Sequence, residues 1–361
     1  RDPARVTSVI PSAKVITHGG NEYVAVKHGP EETKVLRNIG IDAPSPILHH
    51  YDWPGRFAPF NAQREAAAFM SLENRAFNLS DLGTGKTMAT LWAYDYLKSS
   101  NTVNKALVIT PLSTLERTWA DEVFQHFPHL EVAVLHGSRS RRLKLLESEA
   151  DLFLINHDGI KVSGLVDALK DRDDINLVII DEIAQVARNA GTDRFRALMD
   201  ICNRQCTRKV WGLTGTPVPN APTDAWAQCK LLVPERVPAY SNRFKDMVMR
   251  QINQFLWVPR PNAMEIVHEA MQPSIRFTRD ECVDLPPVMY DTRVAPLTAE
   301  QTKAYRDMMN KLTIEAQEGS ITAANEAVKA QKLIQVACGC VYDGNGGEVV
   351  LDNTPRMETL M

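Results

Sequence analysis

The sequence predicts an α/β protein: an open parallel sheet with helices on both faces, a small β-rich module in front of it and a helical extension behind. Three observations predict this. Runs of four apolar residues recur between helical patterns, at 106–109, 132–135, 152–155 and 177–180. Such continuous runs suit strands covered on both faces, as parallel strands are. A further apolar stretch, Ala76-Phe77-Asn78-Leu79, runs into the glycine-broken loop Ser80-Asp81-Leu82-Gly83-Thr84-Gly85-Lys86-Thr87 and then into a helical pattern at Met88, Leu91, Trp92 and Leu97. Strand, loop and helix in that order are what a phosphate cradle requires, and the same order also suits an ordinary strand-to-helix loop with a solvated lysine. Finally, each apolar run ends in a polar or glycine-bearing loop, where open α/β sheets carry their functional groups.

Length and composition bound the rest. At 361 residues and 44% hydrophobic content the chain has room for two domains with real cores. A net charge of −3 gives no global basic signature, so any nucleic-acid contact must come from local patches or backbone amides. Cysteines 202, 206, 229, 282, 338 and 340 include no C-x-x-C pair, which argues against a zinc site or disulfide framework and for free thiols in the cytoplasm. Cys338-Gly-Cys340 reads as two packed or loop thiols. No signal peptide and no membrane-spanning apolar run is present, so no membrane partner is expected. The chain opens on Arg1 and closes on Met361, as a fragment of a longer product would.

In chain order, residues 1–55 form the first module: 6–10, 14–17 and 23–26 are short β-prone runs, broken by Pro11 and by His18-Gly19-Gly20-Asn21. A brief helix is expected from Glu31 to Ile39, stopped by Gly40, and prolines 44, 46, 54 and 59 mark an extended connector. The sheet domain is expected over 56–233, a helical insertion and linker over 234–340, and a last piece over 341–361. Within the insertion, Phe244, Phe255, Leu256 and Trp257 stand among basic residues and read as core or as base-stacking platforms, with core the commoner outcome.

The chemistry sits at the strand ends. In the loop 80–87, Gly83 and Gly85 allow backbone N–H groups to turn onto a polyphosphate, with Leu82, Thr84 and Met88 flanking it. Lys86 reaches the terminal phosphates and the Thr87 hydroxyl is placed for Mg²⁺. Gln63, ahead of the loop, offers an amide edge to adenine, and Phe60 a ring to stack on it. The run Leu177-Val178-Ile179-Ile180 presents Asp181 as a second Mg²⁺ ligand and Glu182 as the group that orients or deprotonates the attacking water. Thr214-Gly215-Thr216-Pro217 closes another strand; its hydroxyls can bond Asp181 or Glu182 and relay nucleotide state, and the same residues also suit a helix start. Thr110-Pro111, Asn156-His157 and His136-Gly137 with Arg139 are candidates for gripping a nucleic-acid backbone. The basic run Arg139, Arg141, Arg142, Lys144 reads as a solvated helix face or as a phosphate track, with Arg276 and Arg279 as comparable candidates.

These motifs together resemble superfamily 2 helicases and, among them, Snf2-like ATPases: Gln63, residues 81–87, Thr110-Pro111-Leu112-Ser113 with Trp119, Asp181-Glu182 and Leu213-Thr214-Gly215-Thr216-Pro217 occur in the family's order. The stretch 277–287, ending Leu285-Pro286-Pro287, is similar to the family's linker, and 298–305 to the helix beyond it. The resemblance covers about residues 59–340, and the short lobe and Leu-Gly-Thr wording resemble the phage-encoded branch, whose site would be the host cytoplasm. It implies a RecA-like ATP-binding lobe of the P-loop NTPase class, ATP hydrolysis with Mg²⁺, and DNA, duplex in preference, as the partner, with no small-molecule substrate beyond ATP. Two departures stand out. Ala184 replaces the polar residue usual there, which shifts coupling to Gln185, and no second RecA-like lobe follows Gly344-Asn345-Gly346-Gly347, so the arginine fingers that the resemblance implies are expected outside this chain. The rivals are a strand-separating or annealing DNA or RNA helicase, a degenerate nucleotide-gated DNA scaffold, and a P-loop kinase, which has no use for the Thr-Pro-Leu-Ser and Thr-Gly-Thr-Pro motifs.

Overall fold

The computed structural model describes residues 3–203, 208–282, 289, 291–311, 313–316, 319–322, 326–342 and 347–361. Cys206, the Leu285-Pro286-Pro287 phrase and Gly344-Asn345-Gly346 lie outside the described residues. The chain divides into two compact units, Arg1–Leu285 and Pro286–Met361.

The first unit opens with α1 (Pro3–Thr7), the antiparallel hairpin β1 (Lys14–His18) and β2 (Asn21–Ala25), and α2 (Pro30–Asn38). The β-prone run 6–10 is therefore helix and turn rather than strand. Pro3 starts a helical turn at no cost in hydrogen bonds, and Val6 and Ile10, four residues apart, bury on one side. Next come α3 (Asn61–Leu72), β3 (Arg75–Asn78), α4 (Lys86–Ser99), β4 (Lys105–Thr110), β5 (Val132–Val134), α5 (Arg139–Leu146), β6 (Leu152–Asn156), β7 (Ile175–Asp181), α6 (Asp193–Asn203) and β8 (Lys209–Leu213).

Six of these strands and a seventh, β9 (Ser274–Ile275), form one sheet in the order β9-β3-β8-β7-β4-β6-β5, parallel throughout. Side chains alternate across it, as the two-residue strand period requires. Leu107, Ile109, Phe153, Ile155, Val178 and Ile180 join the core on one face, and Ala106, Val108, Leu152, Leu154, Leu177 and Ile179 the core on the other. This is why the apolar runs are unbroken. Because the strands are parallel, their carboxyl ends, at Asn78, Thr110, Asn156, Asp181 and Leu213, share one edge.

Residues 234–272, expected as helices, hold α7 (Ser241–Val248) and α8 (Ala263–Ala270) with an antiparallel hairpin between them, Met249–Gln251 against Trp257–Pro259. Phe244 is buried in the core, whereas Phe255 is 86% exposed. The edge strand β9 was not legible, since two residues carry no periodicity. The second unit holds Ala299–Lys311 and Glu326–Cys338 as helices, two hairpins and a last helix, Thr354–Leu360. Ala304, Met308, Val336, Val341 and Leu351 form its own small core.

Candidate functional site

The loop between β3 and α4 is the centre of the site. Helix α4 begins at Lys86, so its N-terminal N–H groups and the positive end of its dipole face the loop. Gly85 caps it at φ 77°, in the left-handed region. A Cβ there would stand 2.0 Å from Nε2 of Gln63, whose side chain lies over the loop while its Oε1 accepts from the Phe60 backbone at 2.9 Å. Gly85→Ala should therefore both displace Gln63 and strain the backbone by about 1–2 kcal/mol. Weakened ATP binding by isothermal titration is the expected result, and wild-type affinity would remove the loop from the site.

Lys86 Nζ donates to the carbonyls of Ser80 and Asp81 at 2.8 and 2.9 Å, which folds the ammonium into the cradle. Burial pushes its pKa down, against the pull of Glu182, Asp181 and Asp81. The Thr87 hydroxyl has no hydrogen-bond partner among the described residues. Thr84 instead closes the loop on the Asp81 carbonyl, Leu82 is exposed, and Met88 packs partly against the core.

Across the sheet edge, Asp181 is fixed from several sides. Its Oδ2 accepts from the Thr110 hydroxyl at 2.9 Å and from Trp119 Nε1 at 3.0 Å, and its Oδ1 from the Glu182 N–H at 3.1 Å. Strand register explains Thr110: Ile109 pairs with Ile180, so the next residue of each strand emerges at the same level. Trp119 comes from a π-helical turn, Leu115–Ala120, whose wider winding turns the indole inward. His157 Nε2–H donates to the Asp181 carbonyl at 2.9 Å, and burial holds its ring below the ordinary imidazole pKa.

Glu182 occupies φ 49°, ψ 49°, a conformation that a non-glycine residue holds only where its surroundings enforce it. Its Oε2 accepts from the Thr214 hydroxyl at 3.2 Å, and Thr214 Oγ1 in turn accepts from the Thr216 N–H. Burial, then the neighbouring Asp181 charge, raises its pKa above the usual carboxylate value. Gly215 lies close against the phosphate loop, since a Cβ there would stand 3.1 Å from the Leu82 amide nitrogen. Gln185, by contrast, is exposed, and Ala184 is buried: the link between the carboxylates and the Thr-Gly-Thr loop runs through Thr214.

The residues read as backbone-gripping divide. Thr110 and His157 are buried and turned onto Asp181. Asn156 accepts from Arg142, which is itself buried and donates to the Leu135 and Gly137 carbonyls. His136, Gly137, Arg139, Arg141 and Lys144 are exposed, with Pro111 partly so. The segment of the other basic pair also meets the loop: Arg276 pairs with Asp81 at 3.4 Å, the backbone N–H of Arg279 donates to the same carboxylate, the Phe277 N–H donates to the Ser80 hydroxyl, and the Phe277 carbonyl accepts from the Asp81 N–H. Sequence reasoning missed this seam, and it missed Trp119 and Thr110 as holders of Asp181, because only the strand order brings them together. A cavity of about 810 Å³ lies in the N-terminal module between Tyr23, Val24, Leu36 and Ile41, and none of the residues lining it belongs to the loop 80–87. A phosphate cradle needs surface amides, not a deep pocket.

The donor set suits Mg²⁺ with a nucleotide: Thr87 and Asp181 offer hard oxygens, Asp181 already positioned by neutral donors. No helix among the described residues is long and apolar enough to cross a membrane.

The chain is similar to several known proteins. Over 281 residues the chain is 30% identical to putative protein p41 of Acyrthosiphon pisum secondary endosymbiont phage 1, covering 72% of this chain and 59% of that one. It is 30% identical over 178 residues to the ATP-dependent helicase FUN30 of Saccharomyces cerevisiae, covering 47% of this chain and 15% of the relative. The chain thus spans about 59% of the phage relative and a smaller share of the yeast one. The fold is like that of the Sulfolobus solfataricus SWI2/SNF2 ATPase core in complex with dsDNA, with a TM-score of 0.53 at 22% identity over 79% of this chain and 59% of the other. The SNF2-related domain model matches residues 62–338, and the chain belongs to that family.

Proposed function

We propose that this chain is the ATP-hydrolysing lobe of a DNA translocase, in which turnover alters the grip on duplex DNA. The observation that carries the proposal is the constellation at the sheet edge: a phosphate loop, an Asp181 carboxylate held by Thr110 and Trp119, and a strained Glu182 tied to Thr214. Gln63 and the loop would take ATP. Thr87 and Asp181 would hold Mg²⁺, which when bound offsets phosphate charge. Lys86 would neutralise the terminal phosphates, and Glu182, its pKa raised towards the working range, would accept a proton from the attacking water. A change in nucleotide would be felt by Thr214 through its bond to Glu182 and by Leu82 through Gly215. Support for DNA comes from the solved relative, whose complex holds dsDNA, and for the cytoplasm, as in a phage-infected host, from the free cysteines and the phage relative.

ATP hydrolysis by the full-length gene product, alone and with duplex DNA, single-stranded DNA or RNA, tests this. Stimulation by duplex that disappears in Lys86→Ala is the expected result. Turnover indifferent to every nucleic acid would overturn the proposal.

A further inference from the structure

The hairpin between α7 and α8 carries an apolar tip that nothing covers among the described residues. Phe255 is 86% exposed, Ile252 54% and Leu256 49%. Exposed aromatic and branched side chains at the end of a projecting hairpin are not explained by packing within the unit, because the core side of this element is already supplied by Phe244, Val248 and Met249.

The tip is held rigidly. Asn253 Oδ1 accepts from the amides of Phe255 and Leu256, both at 2.9 Å, and Ile252 N–H donates to the Leu256 carbonyl at 2.9 Å. The base of the hairpin is pinned to α7: Lys245 Nζ lies 3.8 Å from the Trp257 ring centroid, and Arg260 Nε donates to the carbonyls of Asp246 and Met249. A surface presented this firmly loses little entropy on contact.

Charge selects the occupant. Residues 240–262 contain Arg243, Lys245, Arg250 and Arg260 against the single acid Asp246, in a chain whose acids outnumber its bases. Arg243 and Arg250 are exposed and have no side-chain hydrogen bond or ion pair among the described residues. At the root of the hairpin, a cleft of about 530 Å³ is lined by Lys245, Met249, Trp226 and Asp224 together with Arg188 and Asn189. The latter belong to the loop that follows the short helix Ile183–Val186.

We infer that this hairpin is a nucleic-acid wedge: Arg243 and Arg250 take backbone phosphates, and Phe255 with Leu256 presses on the bases. The inference rests on the DNA-motor proposal and adds the element that contacts the bases. Apolar side chains inserted at base steps and aromatic rings stacked on bases are the physical uses for such a tip.

The test uses the full chain with Phe255→Ala, Arg250→Ala and Phe255→Trp, all surface changes checked by thermal melting. Anisotropy of a labelled duplex and a labelled single strand gives the affinities. Phe255→Ala should weaken binding by about 5- to 150-fold, as loss of one stacked base does. Arg250→Ala should lower the slope of log affinity against log salt by about one contact. Phe255→Trp emission should be quenched on binding, while hydrolysis without nucleic acid stays at the wild-type rate in all three. If wild type is stimulated by DNA yet both alanine variants bind with wild-type affinity and slope, the wedge is overturned and the motor proposal stands. Failure of the wild type to bind any nucleic acid overturns both. Self-association of wild type that vanishes in Phe255→Ala would reassign the tip to a protein contact and overturn the wedge.

Discussion

Glu182→Gln should reduce ATP turnover by about two to four orders of magnitude, the usual worth of a general base, while nucleotide binding persists. The substitution is isosteric, and its amide oxygen can still accept the Thr214 hydroxyl that bonds Oε2 in the parent, so the local fold is preserved. What disappears is the ionisable group. The pH profile makes the assignment specific. Burial and the Asp181 charge raise the Glu182 pKa, so the protonated, inactive form persists to higher pH than for an ordinary glutamate. Turnover should fall as pH drops through that raised value, and Glu182→Gln should lack this acidic limb. Steady-state hydrolysis across pH, with binding measured separately by titration, checks both points. Undiminished turnover in the variant would sink the role of Glu182.

Trp119→Ala should cost about 3–5 kcal/mol of stability, as removal of a fully buried indole does. The side chain contributes in two ways: it fills the core beneath the π-helical turn, and its N–H holds Asp181 at 3.0 Å. Trp119→Phe separates them. The phenyl ring keeps most of the packing, whereas the lost hydrogen bond to a charged carboxylate is worth about 1.5–3 kcal/mol and leaves Thr110 as the remaining donor on Oδ2. Urea unfolding should therefore show a severe loss for the alanine variant and a smaller one for phenylalanine, with turnover impaired in both. A Trp119→Phe protein as stable and as active as the parent would mean that the indole contact does not position Asp181.

Much of the sheet was legible because burial on both faces leaves an unmistakable mark: each central strand is an unbroken apolar run, and its polar terminus marks the functional edge. The place of the loop 80–85 between a strand and a helix was legible for a related reason, since its glycines break an apolar run from the helical pattern that follows. The N-terminal run 6–10 misled because β-branched residues suit a strand only where a partner strand exists, and here two of them bury on one side of a helical turn. The exposed hairpin tip was equally opaque, as Phe244 and Phe255 look alike in sequence and differ only in what surrounds them.

The sequence by itself determined the parallel α/β class, the glycine-broken loop between a strand and a helix, and the carboxylate pair at a strand end, because local pattern suffices for each. Only the tertiary structure decided that Thr110, Trp119 and His157 converge on Asp181, that Thr214 rather than Gln185 meets Glu182, and that Arg276 turns to Asp81. Those contacts join strands and loops far apart in the chain, and their geometry is set by strand order and register, which no local pattern records.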